Sequence, residues 1–417
     1  MSTRQVNKPV NVALLGAGAY GSIYVAAILA SAESSGVRLV AVADPFVEAS
    51  RVYGVLKARG VQTFHAGDRM LAACKPDLTV VCTPIQDHCE NVLAALAVGS
   101  HVLCEKPLCA SLGEARKLLD ASHRFGRHVA VGFQWSFGKA VQDLKRDVVS
   151  GVLGRPKRMR TLVLWPRNET YYSRNGWAGR STDERGRFVY DSPVNNACAH
   201  FLHNMLYVLG HSADRSAMPV TLRAELYRAK KIENFDTAAM CATMRDGTEL
   251  LFITSHASRG LAGPVFEYEF ENATVTYDEM GCGEFVATFK DGTVKRYGKP
   301  PGADEPGKLF DTIRAIHAGE PSLCPVEAAI PQLAVTVAAQ EGCEISNVPD
   351  HLICTDGDPG SRAVWVRGID SALMRCYREF KLPGDIGFDW AVPSEEIVME
   401  PEPVFSLKGG AMAATGN

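Results

Sequence analysis

Residues 10–21 read Val-Asn-Val-Ala-Leu-Leu-Gly-Ala-Gly-Ala-Tyr-Gly, an apolar run from Val10 to Leu15 that ends in glycines at 16, 18 and 21. A helical stretch follows to about Ala30, and a second apolar run, Leu39-Val40-Ala41-Val42-Ala43, stops at Asp44. Three glycines alone are weak evidence, because any tight turn uses them. Set between a strand and a helix, with an acid after the next strand, they form a dinucleotide fingerprint. Gly16 permits the turn, Gly18 lets the backbone approach a pyrophosphate, and Gly21 lets helix and strand pack closely. Ala19 and Tyr20 lie in the same loop, where the first N–H groups of the helix attract phosphate. Asp44 is placed to accept hydrogen bonds from ribose hydroxyls and to repel a 2′-phosphate. No Arg follows it in Pro45-Phe46-Val47-Glu48, so NAD is expected and NADP disfavoured.

Working outward, three more apolar runs occur at residues 78–82, 101–104 and 128–131, with helical segments starting near Gln86 and Ser111 and a stop at Gly99. Strands apolar on both faces and separated by helices predict a doubly wound parallel sheet, an α/β Rossmann domain over residues 1–135. Thr83-Pro84 and Glu105-Lys106-Pro107 each follow a strand, and carboxyl ends of parallel strands are where ligands bind. Thr83, Pro84, His88, Glu105 and Lys106 therefore join the expected cofactor-binding set. Lys106 is held extended by the proline after it.

After Gln134 and Trp135 the pattern changes to long alternating segments at 158–165, 221–228, 237–244, 249–255 and 266–270, with hairpin turns at Asp246-Gly247 and Asp291-Gly292. This predicts an α+β domain over 136–392 with a large, mostly antiparallel open sheet, one side of it covered by the first domain or by another subunit. The Pro- and acid-rich residues 393–417 read as an extended tail. Asp191-Ser192-Pro193 is expected to cap a helix that stops at Gly210, with Asn196, His200, His203 and Tyr207 on one face. Such a stripe must face a wet cleft, a ligand or a hydrogen-bonded seam, since an unpaired buried polar group costs about 1–3 kcal/mol. Residues 165–190 crowd Trp165, Arg167, Tyr171, Tyr172, Arg174, Asn175 and Trp177 into one loop-like stretch, flat faces beside polar donors that suit a sugar or cyclitol ring. An aromatic interface loop in an oligomer reads equally well.

The 417 residues carry a formal charge of −3, which gives no reason to expect nucleic acid. No apolar run reaches the roughly 18 residues of a membrane crossing. The N-terminus lacks the apolar core of a secretion signal, and the 12 Cys show no CxxC pairs, so a cytoplasmic protein with reduced thiols and no metal site is expected.

Together the fingerprint, Asp44, Thr83-Pro84, Glu105-Lys106-Pro107, Val131-Gly132-Phe133 and the segment bearing His200 resemble the glucose–fructose oxidoreductase / inositol dehydrogenase / MocA (Gfo/Idh/MocA) family, over residues 10 to about 345. The resemblance implies reversible NAD-dependent oxidation of a secondary hydroxyl on a sugar, cyclitol or glycoside, in homodimers or homotetramers assembled through the second sheet. It implies that Lys106 contacts the reacting hydroxyl and that His200 is the general base, with Gln134, Trp135, Trp165, Arg167, Tyr172, Asn196 and His203 around the substrate. Asn196 stands where the family usually has Asp. Two other activities fit the same resemblance: redox-neutral, NAD-dependent glycoside cleavage, and a non-catalytic NAD-binding regulator.

Overall fold

The computed structural model describes residues 9–18, 20–31, 36–302 and 306–399. Six strands, β1 (Val10–Leu15), β2 (Val37–Ala43), β3 (Gln62–Phe64), β4 (Leu78–Val81), β5 (His101–Cys104) and β6 (Val129–Val131), form a sheet in the order β3-β2-β1-β4-β5-β6. All its pairs are parallel. This is the expected Rossmann sheet. Its strand order reverses between β1 and β4, and the crevice for a ligand opens beside their carboxyl ends. The continuous burial of β1 and β4 explains their Val- and Leu-rich composition, for both faces are covered by helices. The short, partly exposed β3 carries too little apolar pattern to be read from sequence.

The second sheet comprises β7 (Pro156–Leu164), β8 (Pro219–Arg228), β9 (Thr237–Met244), β10 (Glu249–Ser255), β11 (Ala262–Phe270), β12 (Ala273–Asp278), β13 (Phe285–Phe289), β14 (Val294–Gly298) and β15 (Ile345–Asn347). Their order is β14-β13-β12-β11-β7-β10-β9-β8-β15. Pairing is antiparallel except for β7 with β10 and β8 with β15. Side chains alternate between two cores, as a period of two requires. Along β10, Leu250 and Phe252 join the core shared with the first domain, while Leu251 and Ile253 point to the other face.

The inner face thus packs on the first domain, as one side was expected to do. The outer face is covered by the chain's own residues 348–392, which the sequence did not announce. These form a hairpin of β16 (Ile353–Asp356) and β17 (Ala363–Val366) and an amphipathic helix, Ile369–Glu379. Leu373 and Cys376 of that helix are buried against Leu162, Leu251 and Ile253. Arg160 of β7 donates to the carbonyls of Tyr377 and Arg378 at 3.0 and 2.9 Å, closing the helix end. Burying a side chain such as Leu373 contributes about 1.5–3 kcal/mol.

One expectation changes. The helix bearing His200 is Ala199–Val208, with Cys198 as its first flanking residue, so Asp191 does not cap it and Asn196 lies in the turns before it. Those turns form because Ser192 accepts the Asn195 N–H at 3.2 Å and the Asp191 carboxylate bonds elsewhere. Within the expected tail, β18 (Ile397–Val398) pairs antiparallel with β8, and residues 400–417 lie outside the described residues.

Candidate active site

The fingerprint loop meets the steric conditions for a dinucleotide. Gly16 has φ +91°, and a Cβ there would lie 2.7 Å from the Cys82 carbonyl oxygen, where β1 and β4 come together. A Cβ on Gly21 would lie 2.0 Å from the Gly16 oxygen. Gly18 is different: a Cβ there would meet nothing within 4 Å, so open space lies over the backbone where a pyrophosphate would approach. The Asp44 carboxylate accepts the N–H of Ala17 at 2.7 Å and of Phe46 at 2.8 Å, which ties the loop to the end of β2 and leaves lone pairs for ribose hydroxyls. Ala19 lies outside the described residues.

A cavity of about 650 Å³ opens at the ends of β4 and β5 and is walled on its other side by the second domain. Tyr20, Thr83, His88, Glu105 and Lys106 line it from the first domain, with Gln134 and Trp135 following. Trp165, Trp177, Asn196 and His200 line it from the second. Lys106 Nζ donates to both the carbonyl oxygen and the side-chain Oδ1 of Asn196, each at 2.9 Å. Burial pushes the Lys106 ammonium down to about 8; Glu105 and Asp191 oppose the fall and Lys308 adds to it. His200 is held well below the ordinary histidine range, first by burial and then by the positive charges of Lys106 and Lys308, so its imidazole is neutral. Its Nδ1 is buried with no partner among the described residues. His88 ties the two strand-end loops together, one ring nitrogen 2.8 Å from the Pro107 carbonyl and the other 2.8 Å from that of Thr83. Burial lowers its pKa against the pull of both carbonyls.

An oxidoreductase family with an NAD-binding Rossmann fold, GFO_IDH_MocA, matches residues 10–133. Residues 10–133 thus match the NAD-binding domain of the Gfo/Idh/MocA oxidoreductases. It is 36% identical over 141 residues to the rhizopine catabolism protein MocA of Rhizobium meliloti, covering 34% of this chain and 43% of that one. It is 28% identical over 216 residues to D-glucoside 3-dehydrogenase of Escherichia coli, covering 52% and 58%. The chain thus spans about half the length of these curated relatives. The fold is similar to that of the WlbA dehydrogenase from Bordetella pertussis, solved with NADH and UDP-GlcNAcA, with a TM-score of 0.65 at 20% identity over 81% of this chain and 98% of that one.

Several residues expected at the substrate lie elsewhere. The His203 ring is buried, stacked on Phe133 with centroids 3.9 Å apart and bonded through Nε2 to Ser136 at 2.9 Å. Tyr172 lines a different cavity and its hydroxyl bonds His256 at 3.1 Å. Arg167 stands behind the wall, its guanidinium 5.5 Å from the Trp165 ring and 5.1 Å from that of Tyr171. Pro84 adjoins the start of the Ile85–Ala97 helix, and Gly16, Gly18, Gly21 and Asp44 sit at the ends of β1 and β2 outside this cavity.

Sequence reasoning missed Lys308. This lysine opens the Gly307–Ala318 helix, is 2% exposed, and donates to Glu105 Oε1 at 2.5 Å and to the Gly132 carbonyl at 3.2 Å. Tyr24 donates to the same Glu105 oxygen at 2.6 Å. Burial alone would lower the Lys308 pKa, but Glu105 and Tyr20 raise it above the ordinary lysine value, so it stays charged. Its one sequence signal is a cation in the first turn of a helix, where the dipole disfavours it and some fixed anion must compensate.

Proposed function

We propose that this protein oxidises, reversibly, a secondary hydroxyl of a sugar, cyclitol or glycoside to a ketone, with NAD as cofactor. The observation that carries the reading is the meeting of Lys106, from a strand end of the first domain, and His200, from a helix of the second, on the wall of one cavity. The NAD-binding family and the open space over Gly18 support the cofactor. Flat faces of Trp135, Trp165 and Trp177 beside Gln134 and Asn196 suit a ring polyol, apolar on its faces and polar at its rim. A reducing, cytoplasmic setting fits 12 free cysteines. Among the described residues no helix is long and apolar enough to cross a membrane.

When bound, NAD supplies the hydride acceptor. The neutral His200 imidazole takes the hydroxyl proton, and the Lys106 ammonium stabilises the negative charge that develops on the same oxygen. The two neighbouring cations suit this division of labour. They keep His200 unprotonated and ready to act as a base, and they lower the cost of a developing alkoxide.

A panel of cyclitols, pyranoses and glycosides followed by NADH absorbance tests the reading. His200→Ala and Lys106→Ala are each expected to lower turnover by ~10²–10⁴-fold while NADH still binds. Near-normal rates in either variant would remove the assigned role. In the oxidation direction kcat/KM should fall as pH rises through about 8, because Lys106 then loses the proton it needs. Glycoside cleavage without net NADH would replace dehydrogenation by a redox-neutral reaction.

A further inference from the structure

Asp191 lies nine residues before His200, carries a side chain that is almost fully buried, and does not itself line the cavity. Its Oδ1 accepts from the Asn196 side-chain amide at 2.7 Å. Its Oδ2 accepts from the Gly179 N–H at 2.7 Å and lies 3.5 Å from the Arg174 guanidinium. An ionised carboxylate only accepts hydrogen bonds, so the NH₂ end of the Asn196 amide must face it. The carbonyl end then faces Lys106, which receives two acceptors from the same residue. Two of the three ammonium N–H bonds are thereby engaged, and the third is left for the cavity.

We propose that Asp191 is a positioning residue for Lys106: it locks the Asn196 amide with its oxygen toward the ammonium and lends that ammonium a carboxylate one residue removed. Glu105 also favours the ammonium, but it is Asp191 that is bonded to the Asn196 amide. Glu105, the chain neighbour of Lys106, is already paired with Lys308 and Tyr24. Lys308, from the Gly307–Ala318 helix, and His200 add no negative charge, and Cys198 is a buried thiol whose pKa burial raises to about 11. Without Asp191 the amide is free to turn and present its NH₂ to an ammonium, a contact with two donors and no acceptor. The inference rests on the proposed role of Lys106 as the ammonium at the reacting oxygen, but its test does not need turnover.

In the full-length protein, competitive acetylation of Lys106 by acetic anhydride, read by mass spectrometry across a pH series, gives the titration midpoint of that one amine with or without substrate. Asp191→Asn is expected to lower the midpoint by roughly one pH unit or more and to move the alkaline limb of the oxidation rate by the same amount. The double variant Asp191→Asn with Asn196→Asp moves the carboxylate inward and is expected to restore both to at least the wild-type position. Asn196→Ala severs the link but leaves Asp191 with Gly179 and Arg174, and should lower the midpoint as Asp191→Asn does. It serves in its place if Asp191→Asn fails to bind NADH or melts early. An unchanged midpoint in a folded single variant, or a double variant that stays low, overturns the proposal. A shifted and rescued midpoint in a protein that oxidises no polyol would uphold Asp191 and sink the dehydrogenase reading instead.

Discussion

The two halves of the molecule deliver side chains to the cavity by different means. The first domain works from strand ends: Thr83 follows β4, and Glu105 and Lys106 follow β5, so a hydrogen-bonded sheet fixes where each residue starts. Apart from Trp165, which follows β7, and His200, on the Ala199–Val208 helix, the second domain works from turns and a loop with the short helix Glu169–Tyr172, held by side chains rather than by a ladder. Asn175 accepts the N–H groups of Trp177 and Ala178 at 3.1 and 2.8 Å, Asp183 accepts those of Arg185 and Arg187, and Asp191 holds Gly179. A frame of the first kind tolerates little change, while one of the second kind can be rebuilt residue by residue. The difference would suit the proposed reaction, with cofactor chemistry held fixed and the accepted ring open to variation.

The sharpest way to break that contrast is at the bond that crosses it. Lys308→Met removes the second domain's partner of Glu105 and leaves a buried carboxylate with Tyr24 and the Lys106 N–H. Stability should fall by about 3–5 kcal/mol, measured by urea unfolding. A loss under about 1 kcal/mol would mean that the halves are coupled elsewhere. Next in size is the outer face of the second sheet. Leu373→Ala should cost about 2–5 kcal/mol and leave kcat/KM unchanged, because the sheet separates Leu373 from the cavity. A fall in kcat/KM without a fall in melting temperature would show that the covering segment reaches the site.

The same contrast explains what could be read in the sequence. The Rossmann sheet is legible because its signals are local: an apolar strand, a glycine turn, a helix start, an acid after the next strand. The family resemblance points to Lys106 and His200, and the cavity gathers them. The failures fall where long-range packing decides. Helical spacing puts His203 and His200 on one stripe, but the ring of His203 finds Phe133 and Ser136 from the first half of the chain. Asp191-Ser192-Pro193 has the letters of a helix start, yet Asp191 is drawn to Gly179, Arg174 and Asn196, and the helix begins later. No pattern within the first domain announces Lys308, because its meaning depends on Glu105 about two hundred residues earlier.

A smaller effect probes the first domain's side of the comparison. Asp44→Ser removes the charge that would oppose a 2′-phosphate, and the preference for NAD over NADP should fall by roughly tenfold, read as the ratio of kcat/KM for the two cofactors. An enzyme that already favours NADP would overturn the reading of Asp44. Because Asp44 also ties Ala17 and Phe46, weaker binding of both cofactors without a change in their ratio would assign it to the loop alone.

The smallest expected effect falls on a residue that sequence spacing set beside the substrate. His203 is fully enclosed, with its ring against Phe133 on one side and Tyr207 on another. Its Nε2 is engaged by Ser136, and burial holds its pKa well below the ordinary value, so it carries no charge that a substrate could use. His203→Gln keeps a polar group in reach of Ser136 and loses the stacking. KM and kcat should stay within about twofold, and stability should fall by about 1 kcal/mol, the net worth of one imperfectly replaced hydrogen bond. A KM raised tenfold with unchanged stability would put the ring in contact with the substrate and restore the polar stripe that helical periodicity draws from Asn196 to Tyr207. The reverse pattern, lost stability with intact kinetics, leaves His200 as the imidazole of this helix that faces the chemistry.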